Sequence, residues 1–154
     1  MNSALFVVVV ISVAAHVVLA GAGVDRVLVE MPARKKIGAL AFAHYLRAKD
    51  LGNGRVVYPL AGILGWVSAL VALGVAVITR TSQEVLIALA VAAASAIAGI
   101  ALTTQAAPTM FQIGRSPDRE EAVGPLIERF ASLGNWRALS QVVTLVALEW
   151  ALLL

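Results

Sequence analysis

The chain has 154 residues, enough for one domain and no more. Sixty per cent of them are hydrophobic, 14% are charged, and the mean hydropathy is +0.90. A water-soluble globule of this size cannot hide that much apolar surface, so lipid is the expected solvent. The absence of cysteine excludes disulfides, thiol catalysis and zinc–thiolate sites. A net charge of +3 without a dense basic stripe excludes a nucleic-acid partner.

Residues 1–24 carry no charged side chain, and 4–23 is long enough to cross a hydrocarbon core of roughly 30 Å. A signal peptide is the alternative, since Ala-Gly-Ala at 20–22 resembles a cleavage site. It would want positive charge before the apolar run, whereas here Asp25 and Arg26 follow it. In 33–49, Ile37, Leu40, Ala41 and His44 recur at i, i+3, i+4 and i+7, with Arg34, Lys35, Lys36, Arg47 and Lys49 mostly elsewhere. That pattern predicts a basic amphipathic helix lying at the headgroup layer, and 50–54 reads as a turn.

The second span is expected over 59–79, with Pro59 in its first turn, and the third over 85–106, stopped by Pro108. Small residues spaced by four mark helix contacts: Ser68, Ala72 and Ala76 on the second span, and Ala94 with Ala98 and Ser95 with Gly99 on the third. After it, Ser116-Pro117-Asp118 reads as a helix start, and Val123, Leu126, Ile127 and Phe130 repeat the amphipathic spacing. The fourth span covers 137–154.

The expected fold is therefore all-α, a single membrane domain over 1–154 built as a four-transmembrane-helix bundle. Its connections 24–58 and 107–136 each hold one interfacial amphipathic helix. Met31-Pro32 after the first span and Pro108 after the third hint at two successive, similar units. Seven cationic residues lie in 24–58 and four in 106–137, against Arg80 alone in the remaining turn. The positive-inside rule then places both connections in the cytoplasm and both termini outside a plasma membrane of bacterial type.

An ionisable residue inside a bilayer is costly unless it is paired or faces a cavity, which makes each one a functional candidate. His16 lies about 12 Å, by helical rise, below the cytoplasmic end of the first span, and is either a hydrogen-bonded structural histidine or a catalytic base. Glu149, near the outer end of the fourth span beside Trp150, either reaches the headgroups or meets His16. At the cytoplasmic mouth, Arg26, Tyr58, Gln105, Asn135 and Arg137 come from four helix ends and form a candidate ligand site with His16 at its floor. No metal site, haem clamp, phosphate loop or cofactor is expected, because the ligand sets and motifs for them are missing.

Three stretches, Val29-Glu30-Met31-Pro32 with Tyr58-Pro59, Ala107-Pro108-Thr109-Met110, and Phe130 to Arg137 ending Asn135-Trp136-Arg137, resemble the anthrone-oxygenase-like family of small four-helix membrane proteins. Thr109-Met110 and Phe130 stand where that family usually shows an Asn and a Trp. The resemblance implies cofactor-independent oxygenation of a polycyclic phenolic carbon acid. On physical grounds such chemistry needs a base, for which His16 is the candidate, with Arg137 and Asn135 holding the oxyanion.

Two functions follow. The first is an enzyme or binder for a lipophilic small molecule, which requires a cavity reaching His16. The second is a structural or accessory subunit, docked on a membrane-protein partner or a second copy through alanine-rich faces, for which the interior at His16 should be filled.

Overall fold

The computed structural model describes residues 2–154, and every regular element among them is helical. Helix α1 (Ser3–Asp25) starts on Asn2, whose side chain accepts from the Leu5 N–H at 2.8 Å. It runs without interruption through a π-helical turn (Arg26–Glu30) into α2 (Met31–Ile37). Pro32 accounts for the wide turn. It has no N–H to give the Leu28 carbonyl, and the helix relaxes by letting the Met31 N–H reach back to Arg26.

Gly38, at φ 84°, breaks the chain between α2 and α3 (Ala39–Asp50). The break changes the expected face. One continuous helix over 33–49 would bury Ile37, Leu40, Ala41 and His44, but α3 buries Phe42, Ala43 and Leu46, and Ile37, Ala41 and His44 are exposed. The turn after Asp50 leads into α4 (Gly54–Ile78), followed by α5 (Gln83–Arg115) and α6 (Glu120–Leu153).

Four helices, counting Ser3–Ile37 as one, are long and apolar enough to cross a membrane. Three of them run well past the expected spans, the first continuing to Ile37. Pro108 does not stop α5, and Asn135-Trp136-Arg137 opens no helix but lies midway along α6. A proline costs a helix one N–H, and Pro59, Pro108 and Pro125 are all carried inside helices at that cost. The segment expected to form a separate second amphipathic helix is instead the first part of α6, where Val123, Ile127 and Phe130 are buried and Leu126 is half-buried. The two halves therefore differ, one broken at Gly38 and the other an unbroken hairpin.

Two cores divide the bundle. At the end bearing the termini, Leu5 and Val9 of α1 meet Ala72 and Ala76 of α4, Val85, Ala88, Leu89 and Ala92 of α5, and Ala147, Leu148 and Ala151 of α6. Alanines let backbones approach closely, the source of attraction between helices in lipid. Ser68, Ala72 and Ala76 are all buried, as expected, but Ala94 and Ala98 face outward. At the opposite, loop-bearing end, Phe42, Ala43 and Leu46 of α3 cover Ala106, Met110 and Ile113 of α5 and Val123, Ile127 and Phe130 of α6. Arg47 ties this second core to the α5–α6 turn, donating to the carbonyls of Ile113 (3.1 Å) and Ser116 (2.8 Å) and to the Asp118 carboxylate.

Candidate functional site

Between the two cores lies a layer of polar side chains, and its densest part is a charge network at the loop-bearing end. The π-turn begins and ends on the two residues that anchor it, Arg26 and Glu30, 6% and 7% exposed. One Arg26 nitrogen forks onto both Asp50 oxygens at 2.7 and 2.8 Å, while Nε reaches Glu30 at 3.4 Å. The Tyr45 hydroxyl donates to Glu30 at 2.9 Å, and the Lys49 ammonium pairs with the same oxygen. The Phe130 ring lies 5.2 Å from the guanidinium carbon, a cation–π contact from α6. The two carboxylates thus lock the π-turn to α3, and the Phe130 ring brings α6 to the same arginine. Burial raises the Tyr45 phenol above its ordinary range, which keeps its proton available to Glu30. Burial, with the Arg26 cation adding to it, lowers the Lys49 ammonium below its ordinary value.

Of the site residues expected from sequence, Arg26 lies against α6, its Cδ 4.0 Å from where a Cβ on Gly134 would stand, one turn before Arg137, whereas Tyr58 is held on α4. Arg137 is partly buried and forms no ion pair or side-chain hydrogen bond among the described residues. Tyr58 stacks on Gly54, where an added Cβ would fall 2.9 Å from its ring. It also walls an open groove of about 440 Å³ with Lys49, Asn53 and Val57.

Gln105 and Asn135 are not part of this cluster. Gln105 is exposed and spends its amide on the Ala101 carbonyl at 3.1 Å, and Asn135 is exposed. Gln105 lines instead a second, outward groove of about 480 Å³ between α5 and α6, with Ser95, Ala98, Ala101, Trp136 and Ser140.

His16 sits elsewhere, deeper in the bundle and 1% exposed. Its Nδ1 donates to the Ser12 carbonyl at 2.9 Å, one turn back on its own helix. The ring presses on Gly65 of α4 so closely that a Cβ there would lie 3.0 Å from Cε1 and 3.4 Å from Leu19. Neither groove is lined by His16. Glu149 is exposed near the end of α6 and forms no ion pair with it. The interior at His16 is filled.

Sequence reasoning missed Glu30, Tyr45, Lys49, Asp50 and Phe130. The available signal was the four-residue spacing of Arg26 and Glu30, which places two opposite charges on one helix face immediately before a proline. Among the described residues no cluster of His, Cys, Asp and Glu is arranged to hold a metal ion. Comparison with family models, with curated proteins and with solved structures finds no match to this chain.

Proposed function

We propose that this protein is a non-catalytic subunit of a plasma membrane, with both termini outside, that docks a transmembrane helix of a protein partner on the outer face of α5. One observation carries the reading. The exposed faces of α1 and α4 present large side chains to lipid, among them Phe6, Val10, Val17, Leu60, Ile63 and Val67, whereas α5 presents a row of Ala90, Ala94, Ala98 and Ala101 beside the 480 Å³ groove, flanked by the larger Ile87, Val91 and Ile97. Lipid tails gain little from a flat alanine face, but a helix backbone brought against it gains close packing. The closed interior at His16 supports the same reading, because it leaves no cavity for a substrate at the base expected from sequence.

The test is a photo-crosslinking residue placed in native membranes at Ala98 and, as control, at Ile63. A discrete adduct from position 98 alone is expected, lost when Ala94→Phe blocks the face. A product of twice the chain's mass identifies the partner as a second copy. Equal, diffuse labelling at both positions overturns the proposal.

A second reading, a binder of a lipophilic small molecule, is favoured by the 440 Å³ groove walled by Lys49 and Tyr58. The resemblance to anthrone-oxygenase-like proteins belongs to this reading, but oxygenation there would need a base other than His16. It predicts that the purified protein carries a compound, seen by mass spectrometry, that Tyr58→Ala removes and His16→Ala does not. Protein free of any compound counts against it.

A further inference from the structure

Helix α2 is the one helix among the described residues that buries no side chain. Three consecutive cations, Arg34, Lys35 and Lys36, leave it little apolar surface, and Ile37 is exposed. It also lies between two breaks in the helical hydrogen-bond ladder. Pro32 has no N–H and follows the π-turn, and Gly38 stands at φ 84°, a conformation open chiefly to glycine. Met31 and Ala39, on its two flanks, pack against the loop-bearing core. Between them the helix rests on the π-turn and α3 and touches α6 at most marginally.

Arg34 supplies the one ion pair from α2 to another element among the described residues. Its side chain is 16% exposed and reaches Glu128 of α6 at 2.6 Å. Glu128 is 67% exposed, so water and salt screen the pair. The neighbouring network is built differently. Arg26, Glu30 and Asp50 are paired out of water and hold the π-turn to α3 without help from Arg34. A segment with no core of its own, beside one that is locked by buried charge, opens at a lower cost in free energy.

We propose that residues 32–38 form a strap, latched to α6 by Arg34 and Glu128, which opens while the Arg26 network beside it stays shut. Because both flanks are pinned, opening is a local unwinding of α2 and not a swing of the whole helix. Closed, the strap has Arg34 withheld by Glu128. Open, Arg34 joins Lys35 and Lys36 as a run of three unpaired cations, so the ionic strength of the surrounding water sets how often that run is presented. The device does not rest on the docking role of α5, which lies on a different helix.

The test is backbone hydrogen exchange on the whole chain in lipid nanodiscs, comparing 33–38 with 26–31. Arg34→Gln and Glu128→Gln should each speed exchange over 33–38 about two- to fivefold, the scale of an exposed ion pair, and leave 26–31 unchanged. Salt at about 1 M should speed the wild type by a similar factor and the two variants hardly at all. Arg34→Glu joined to Glu128→Arg should restore slow exchange, which separates loss of the latch from loss of the fold. Arg129→Gln, which removes an exposed cation beside Glu128, should change nothing.

Exchange over 33–38 that ignores both single substitutions and salt overturns the proposal, as does a charge reversal that fails to restore it. Acceleration of 26–31 together with 33–38 also overturns it, since strap and network would then open as one unit.

Discussion

Arg26 is the residue on which most of the loop-bearing end converges, and its neighbours say what removing it costs. Two carboxylates, an aromatic ring and a helix backbone are arranged around a guanidinium that is 6% exposed. Breaking such a pair leaves the other charge buried without a partner, a loss of about 3–5 kcal/mol. Asp50→Asn and Arg26→Met should each lower stability by that amount in a denaturing-detergent titration. Arg26→Met joined to Asp50→Leu should recover much of it, because no unpaired charge then remains. Additive losses in the double variant would mean that packing, and not charge, governs the position. Gly23 is sensitive for a different reason. A Cβ there would lie 2.8 Å from the Gln141 side-chain oxygen and 3.2 Å from the Ala138 Cα. The flexible amide can retreat but the backbone cannot, so Gly23→Ala should cost about 1–3 kcal/mol in the same titration by forcing α1 and α6 apart. The Gln141 oxygen is buried without a hydrogen-bond partner among the described residues.

Elements were legible from the sequence where composition alone decides and illegible where a partner decides. Four apolar stretches, the turn after Asp50 and the buried Val123–Ile127–Phe130 face follow from hydropathy and spacing within one segment. The length of α5 and α6 does not, because Pro108 and the polar run Asn135-Trp136-Arg137 read as helix ends in the sequence although each lies inside a helix. The face of α3 was misjudged because Gly38 resets the helical phase, which no count of spacing across it can detect. The Arg26 network escaped for a similar reason, its members lying on the π-helical turn, α3 and α6, far apart in the chain. What holds α3 in place is testable at this scale. Arg47 supplies hydrogen bonds to the last carbonyls of α5 and to Asp118 in the following turn. Arg47→Ala should speed backbone hydrogen exchange over 113–120 and leave the bundle's terminal end unchanged. The same contact gives a pH dependence. The Arg47 hydrogen bond holds the Asp118 carboxyl below the ordinary carboxylate range. A depressed folded value means that the clasp is at full strength above an ordinary aspartate pKa, about 4, and fails only as pH falls through the lower folded value. Exchange over 113–120 should therefore stay slow at pH 4 and rise below it. Acceleration beginning near neutrality would mean that the Asp118 carboxylate does not hold the turn.

For the molecule as a whole, helix length against bilayer thickness decides which part stands in water. At 33 and 34 residues, α5 and α6 are each about 50 Å long, while the hydrocarbon core is roughly 30 Å thick. About 20 Å of each must project. The terminal end cannot supply that projection, because its core is built from Leu5, Leu89 and Leu148 and its exposed rim includes Phe6, Ile78 and Leu153. The loop-bearing end can, since Arg115, Arg119, Glu120, Glu121 and Arg129 are exposed there and α3 covers the apolar side. The projecting hairpin is thus a small water-facing domain joined rigidly to the spans, with the Arg26 network at the boundary where the dielectric changes. Eleven of the twelve cationic residues lie at that end, and the proposed orientation, with the termini outside, rests on that bias. The chain has no cysteine, so single cysteines can be introduced without background. Ser82, in the short turn between α4 and α5, should react with a membrane-impermeant maleimide in intact cells. Gly52 and Ser116 should react only after the cells are opened. Labelling of Ser82 and Ser116 from the same side would contradict a membrane crossing by α5, and labelling of Gly52 and Ser116 alone in intact cells would invert the orientation and bring the loop-bearing end to the outside.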